Sequence, residues 1–404
     1  MKVLCVLSQY AYGRPERGEN YDYVHFVPAL RELGHEVEVF DSGNRSSYRD
    51  FAELNAALLD RVIAFRPEII FCVLMHYEIW FDTLDAIRSH CPALVVNWGT
   101  DDSWKFVQAS RFFAAHVDLH VTTAPAAAER ATALGHRNVL LSQWAASDGS
   151  LMRPIPAADC RRDVSFVGSL YGYRAAWIAG LRDAGITVDC FGHGSENGVV
   201  DTEAIARIAR ESRIALNFSG EGPGGHLRAG GGRQIKARTF EVPGSGGFLL
   251  TESAPGLERY YQPGREVATF SSPDELVRMA RHYLAQPEQR DAIANAGYER
   301  TAAEHTYRRR FEQILDHVCM LSADRMRTPW GLSPDALAPA IARFRRSGAG
   351  WLRSVLVGPL RLIFGFERGP RAARRILFEL SWRCAGERTF RAGGLPGRLF
   401  YLES

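Results

Sequence analysis

QIKARTFEVPGSGGFLLTE, residues 234–252, opens with a short helical run carrying Lys236, Arg238 and Glu241 and breaks at Pro243 and Gly244. It then crosses Gly246 and Gly247 and enters an apolar strand, Phe248 to Leu250. A helix, a glycine turn and a buried strand follow one another here, with two cations and one carboxylate beside the turn. Taken alone, Arg238 and Glu241 form a local ion pair three residues apart on a helix, and the glycines an ordinary turn. The same groups also suit a nucleotide-sugar. A carboxylate accepts from ribose hydroxyls, cations neutralise a diphosphate, and side-chain-free glycines admit phosphate oxygens to backbone N–H groups.

Outward from this segment, strand-length apolar runs alternate with helical patterns. Toward the N-terminus the spacing predicts strands at 3–7, 36–40, 69–74, 94–98, 119–122 and 139–142. Helices are predicted between them at 23–33, 51–65, 79–89, 103–115 and 124–134. Residues 146–162 lose this periodicity and gain Pro, Ala and Ser, which marks a linker. Alternation restarts with strands at 164–167, 187–191, 214–218 and 267–270, and helices at 174–184, 202–212, 273–285, 287–303 and 306–321. A glycine-rich loop, 220–232, interrupts it. The fold class is therefore α/β: two Rossmann-like domains of parallel strands, with a ligand cleft between them at the carboxyl ends of the strands. The boundaries are 1–145 for the first domain, 146–162 for the linker, 163–322 for the second domain and 323–404 for a basic tail. No G-x-G-x-x-G follows any strand, which disfavours a redox dinucleotide domain.

Several further residues end strands or open helices in the second half. Gly168 and Ser169 form a turn after a strand, with Arg174 at the start of the next helix, an arrangement suited to a diphosphate. A plain βα turn with a solvated arginine accounts for it equally simply. Asn217 and Ser219 close another strand, where side chains meet a base or ribose. In the first half, Asn97-Trp-Gly-Thr-Asp-Asp-Ser-Trp104 follows a strand and opens a helix. One carboxylate there makes a good N-cap. Two adjacent carboxylates, Asp101 and Asp102, fit acceptor binding or general-base work, because a hydroxyl nucleophile must lose a proton. His76 is a second candidate base. His25 is weaker, and His305 reads as a helix-boundary residue before the N-cap Thr306. The loop 9–23, rich in Tyr, Arg and Gly, lies where an acceptor would enter.

DVSFVGSLYGYR, IALNFS, QIKARTFEVPGSGGFLLTE and GYERTAAEHTYRRRF follow in an order and spacing that resemble the blocks of CgeB-like glycosyltransferases, relatives of the group 1 enzymes with the GT-B fold. NW-x-x-DD resembles the acceptor-domain motif of the same family. The resemblance covers most of residues 1–321. It implies a metal-independent transferase that moves a sugar from a nucleotide-diphosphate sugar, its co-substrate, to a hydroxyl acceptor, with no cofactor. It matches Glu241 to the donor-ribose carboxylate and Gly246 and Gly247 to the glycines beside the diphosphate. Many group 1 retaining enzymes carry a second glutamate eight positions earlier. Position 233 here is arginine, which shifts diphosphate neutralisation to Arg233, Lys236 and Arg238. Two alternatives stay open: a GT-B-shaped non-catalytic binding or surface-layer protein, and a nucleotide-sugar epimerase.

Composition agrees with globular protein, with 46% hydrophobic and 24% charged residues. Lys2, Lys105 and Lys236 are the only lysines, so basic charge is nearly all arginine. Seven scattered cysteines show no metal-ligand spacing, and no metal site is expected. No stretch has the length of a transmembrane helix and MKVLCVLSQY does not read as a signal peptide, so the expected location is the cytoplasm. The charge is uneven. Residues 325–404 hold 15 arginines against Asp335, Glu367, Glu379, Glu387 and Glu403. Within them, 349–383 interleaves arginine with Trp, Leu, Ile and Phe, broken by Pro359 and Gly365. Such segments lie in a membrane interface, here the inner face, or pack on the body or a second subunit. A nucleic-acid partner is not expected; a glycan, lipid-linked or protein acceptor of the cell envelope is.

Overall fold

The computed structural model of the protein describes residues 1–221, 232–321, 325–346 and 350–403, so most of the glycine-rich loop 220–232 lies outside the described residues. The chain divides into two compact units, Met1–Thr122 with Ala126–Leu141 and Gln313–Ser404, and Thr123–Pro125 with Ser142–Glu312.

In the first unit β1 (Lys2–Leu7), β2 (Glu36–Asp41), β3 (Ile69–Cys72), β4 (Leu94–Gly99), β5 (Leu119–Thr122) and β6 (Val139–Leu141) form one sheet in the order β2-β1-β3-β4-β5-β6. Every pairing is parallel. Every residue of β3, β4 and β5 is buried, as a sheet covered on both faces requires. The crossovers are α1 (Tyr21–Glu32), α2 (Phe51–Phe65), α3 (Phe81–His90), α4 (Asp102–Lys105), α5 (Arg111–Phe113) and α6 (Pro125–Ala133). The single helix expected at 103–115 is instead α4 and α5 joined by a π turn, Phe106–Ser110.

In the second unit β7 (Arg162–Val167), β8 (Val188–Phe191), β9 (Ser212–Asn217), β10 (Leu249–Glu252) and β11 (Ala268–Phe270) form a second all-parallel sheet, ordered β11-β10-β9-β7-β8. Its helices are α7 (Tyr173–Asp183), α8 (Thr202–Arg210), α9 (Arg238–Gly244), α10 (Pro273–Ala285) and α11 (Pro287–Glu304), with α12 (Tyr307–Leu321) leading back to the first unit. Helix α9 runs through Pro243, where the sequence predicts a break, because barely one turn precedes the proline. Residues 146–162, expected as a linker, are held to this unit. The amide of Ala146 donates to the His305 carbonyl at 2.9 Å, and that of Ala157 to Asp291 at 3.0 Å. The fully buried Arg290 donates to the carbonyls of Ile155, Ser212 and Arg213.

The basic tail is a structural part of the first unit. Helix α13 (Ala338–Arg345), α14 (Gly350–Ala385) and α15 (Leu395–Leu399) belong to it. Leu337, Ala340, Phe378, Phe390 and Ala392 sit in the same apolar core as β1, β3, α2 and α3. Gly365 (φ +81°, ψ 173°) alone leaves helical values within α14, dividing it into two arms, while Pro359 lies inside an arm. The arms fold back on each other. Val357 and Ala373, about 24 Å apart along a straight helix, share one apolar cluster, and a Cβ on Gly369 would lie 2.7 Å from the Cα of Arg361.

Phe390 is fully buried, stacked on Phe81 at 5.2 Å and edge-on to Phe113 and Phe378. Phe390→Ala is expected to destabilise the protein by about 3–5 kcal/mol, the cost of emptying a large core site. Urea unfolding measures it; an unchanged midpoint would contradict the placement of the tail in the core.

Candidate functional site

The parallel strands of each sheet end at one edge, and most of the candidate residues lie at those edges. In the second unit β7 runs into Gly168, β9 into Ser219 and β10 ends on Glu252. A Cβ at Gly168 would lie 3.1 Å from a terminal nitrogen of Arg238 and 3.0 Å from Phe166, so the Arg238 guanidinium covers the glycine turn. Lys236, Arg238 and Glu241 are partly exposed on one short segment. Arg174 is buried. It donates to the carbonyl of Ser169 at 3.3 Å and lies over the Tyr171 ring at 4.6 Å, which clamps the turn 168–174 from within. The sequence-predicted Gly168, Ser169, Arg174 and Arg238 are thus brought together.

Other expected donor residues have different surroundings. The buried Asn217 donates to Thr251 Oγ1 at 2.9 Å and, more weakly, to Thr239 Oγ1 at 3.5 Å, so it ties β9 to its neighbours rather than meeting a base. Ser219 is buried, with its amide donating to Glu252 Oε2 at 2.8 Å and its hydroxyl to the Glu252 carbonyl at 2.7 Å. Arg233, expected to face a diphosphate, has Nε 2.5 Å from Glu252 Oε1 and lies over the Tyr173 ring at 5.1 Å. Its charge is matched by a buried carboxylate. Gly246 and Gly247 lie before β10, at the opposite edge from Glu252. A Cβ on Gly246 would meet the Met152 carbonyl oxygen at 2.5 Å, and one on Gly247 that of Ala209 at 2.8 Å. Protein backbone fills the space beside both glycines, so they are packing glycines and not diphosphate contacts. Glu252 and Tyr173 were missed in the sequence. The signal for Glu252 was a carboxylate closing the apolar run FLLTE at the strand's carboxyl end.

In the first unit the adjacent carboxylates have opposite fates. Asp102 is buried, with Oδ2 2.8 Å from His120 Nε2, and it also accepts from the hydroxyls of Ser110 and Thr122. Burial raises its pKa, but the charge and hydrogen bond of His120 and the two hydroxyls outweigh this and hold the carboxyl below its usual range. Asn97 Nδ2 lies 3.3 Å from His120 Nδ1 and its Oδ1 accepts from the Leu74 amide at 2.9 Å. A Cβ on Gly99 would lie 2.4 Å from Asp102 Oδ1. Asp102 therefore joins β4, β5 and the π turn and is not a solvent-facing base. Asp101 is partly exposed and acts electrostatically on Lys105 and on Asp22 in the first turn of α1. Burial, then the charge of Asp101, pushes the Asp22 carboxyl up to about 7. Asp22 was missed in the sequence because a carboxylate in a first helical turn reads as a helix-start residue.

His76 follows β3 at the same edge. Its Nε2 is 3.1 Å from Lys105 Nζ, and burial, then Lys105, Arg374 and Arg45, hold its pKa well below the usual value. It is a neutral imidazole among cations. His305 in the second unit is structural as expected: Nε2 donates to the Tyr260 carbonyl at 2.8 Å, and burial lowers its pKa to about 4. Among the described residues no group of three or more His, Cys, Asp or Glu side chains could hold a metal ion.

The Asp22 geometry sets a pH dependence. Its carboxyl binds a proton more tightly folded than unfolded, so the stability it contributes is full below about pH 4. That stability is lost as pH rises through about 7. The loss is on the order of 4 kcal/mol, from a shift of about three units. Asp22→Asn stays neutral and is expected to overtake the wild type in urea resistance above pH 7, a gap that narrows toward pH 5; parallel profiles would refute the assignment.

Residues 170–316 match the family model described as glycosyl transferase-like. No curated protein matches the chain. Three solved structures are similar to it in fold. Sucrose-phosphate synthase from Thermosynechococcus elongatus has a TM-score of 0.56 at 10% identity, covering 79% of this chain and 100% of that one. A glycosyltransferase from Rickettsia africae ESF-5 has a TM-score of 0.54 at 10% identity, covering 79% and 98%. HepE from Anabaena, in complex with UDP and glucose, has a TM-score of 0.52 at 13% identity, covering 79% and 100%. With its two parallel sheets and their helices, the chain has the GT-B fold.

Proposed function

We propose that the protein is a CgeB-like glycosyltransferase that moves a sugar from a nucleoside-diphosphate sugar to a hydroxyl acceptor. The observation that carries this reading is the Arg238 guanidinium lying over the Gly168 turn, with Lys236 and Glu241 on the same segment, at the carboxyl edge of a parallel sheet. The match of residues 170–316 to a glycosyl transferase-like model spans this segment. HepE holds UDP and glucose on this fold, which makes a uridine nucleotide the first donor to test.

In the reaction the acceptor oxygen bonds to the anomeric carbon as the bond from that carbon to the diphosphate oxygen breaks. The electron pair leaves with the nucleoside diphosphate. Lys236 and Arg238 stabilise that charge in place of a metal ion. Glu241 accepts from the ribose. The acceptor hydroxyl gives up its proton to a base, for which Asp101, the accessible carboxylate of its pair, is the candidate the first unit offers.

The bend of α14 supports an acceptor at a membrane surface, on the cytoplasmic side. Leu362 is 91% and Phe366 81% exposed there, Ile363 and Phe364 are exposed beside them, and Arg361 and Arg368 flank the bend. Bulky apolar residues at such a tip, next to arginines, suit an anionic interface. Among the described residues no single helix is long and apolar enough to cross a membrane.

Three experiments test this reading. Glu241→Ala and Arg238→Ala are each expected to weaken nucleoside-diphosphate-sugar binding by about 1–3 kcal/mol, roughly 5- to 150-fold, with turnover by the wild type persisting in EDTA. Calorimetric titration of folded variants that gave an unchanged Kd would remove the donor assignment. For the membrane, Leu362→Ser with Phe366→Ser is expected to abolish co-sedimentation with vesicles rich in anionic phospholipid. Equal sedimentation of variant and wild type would end that part of the proposal.

A further inference from the structure

Between the carboxyl ends of β2, β3 and β4 and the second arm of α14, the first unit gathers cations that the transfer chemistry above does not use. Arg45 follows β2, His76 and Glu78 follow β3, Lys105 ends α4, and Arg374 comes from α14. Phe378, one turn beyond Arg374, packs edge-on against His76 at 5.7 Å, which fixes this arm over the loop after β3. Arg45 lies over the rings of Phe51 and Tyr401, at 5.0 and 5.6 Å. Lys105 is 8% exposed.

Four polar atoms in this neighbourhood are buried without a hydrogen-bond partner: Arg45 Nε, His76 Nδ1, Arg374 Nε and Tyr401 Oη. Each can donate. The two arginine Nε atoms carry hydrogens at all accessible pH, and Tyr401 keeps its proton, its pKa pushed up to about 12 by burial. His76 accepts from the Lys105 ammonium through Nε2, so the neutral ring carries its hydrogen on Nδ1. Donors left unsatisfied in a protein interior cost free energy, and like charges brought together there cost more. The charges that face one another are Arg45, Lys105, Arg374 and Arg375 against Glu78 and Asp101. Burial, offset in part by the cations, raises the Glu78 carboxyl above its usual range, which weakens its compensation further. Four cations face two carboxylates, and neither carboxylate meets any of the four unpartnered donors.

We propose that this cluster is a phosphate-binding site, in which Arg45, Lys105, His76 and Arg374 hold a phosphate group of the acceptor. A phosphate offers acceptor oxygens only and at least one negative charge, and guanidinium groups match its geometry. Asp101 acts on Lys105, so the site adjoins the carboxylate assigned to the acceptor hydroxyl. The acceptor class is then a phosphorylated hydroxyl compound, either a soluble phosphate ester or a lipid whose headgroup carries the phosphate. Only the identification with the acceptor rests on the transfer reaction; the phosphate site stands or falls by itself.

The test uses the full chain with inorganic phosphate as the probe, at ionic strength matched with chloride, read by calorimetry and thermal shift. The wild type is expected to bind and to be stabilised. Arg374→Gln and Arg45→Gln are each expected to bind at least tenfold more weakly, Arg374→Lys to recover part of the loss, and Arg278→Gln, at an exposed arginine of α10 in the other unit, to bind as the wild type does. If Arg374→Gln fails to fold, Arg45→Gln carries the same comparison. No binding by the wild type, binding unaffected by both glutamine variants, or binding weakened as much in Arg278→Gln would each overturn the site. Vesicles with and without anionic phospholipid separate the sources. Sedimentation with the anionic vesicles that Arg374→Gln and Arg45→Gln abolish, with the α14 tip intact, assigns a lipid headgroup; phosphate binding with no such loss assigns a soluble ester.

Discussion

Both sheets run every strand in the same direction, and this one constraint decides what each residue can do. Parallel strands need return helices, so all carboxyl ends emerge at one edge and all amino ends at the other. In the second unit Gly168, Ser219 and Glu252 share the first edge although the outermost two are 84 positions apart in the chain. The same rule removes Gly246 and Gly247 from any role beside the diphosphate. They are close to Glu241 in sequence but stand at the wrong end of β10.

Buried polar networks keep these edges in shape. Glu252 accepts from Arg233, from the Tyr173 hydroxyl and from the Ser219 amide, and the Gly220 amide donates in turn to Tyr173 at 3.1 Å. Asp102, His120 and Asn97 do the same work between β4 and β5. A carboxylate in such a place is nearly saturated with donors, so removing it would strand its partners in the interior. This explains why residues that read as chemistry prove to be scaffold. Ser219, Arg233 and Asp102 were selected for their polar groups, and those groups are engaged within the protein.

The fold was legible because its signal is periodic. Helix 51–65 and strand 119–122 were read with their observed limits, and most other elements lie within two or three residues of expectation. A 3.6 or twofold repeat survives in one sequence without knowledge of neighbours. The site was only half legible, because contacts between distant segments leave no local pattern. Gly168 and Arg238 were named separately, but nothing in either stretch says that one covers the other. Nor does Asp22 announce Asp101, 79 positions on. The tail's place was left open, between a membrane interface and packing on the body, for a related reason. Its arginines set it apart by charge, while the few side chains that matter for packing, Leu337, Phe378 and Phe390, are scattered through it.

That packing has a consequence for biosynthesis. The first unit takes its sheet from the opening third of the chain and part of its core from the final eighty residues, whereas the second unit is almost continuous from Ser142 to Glu312. A chain made from its amino end can therefore complete the second unit while the first still lacks Phe378 and Phe390. On the ribosome, the half of the molecule that emerges first is therefore the half that completes its core later, once Phe378 and Phe390 have been made.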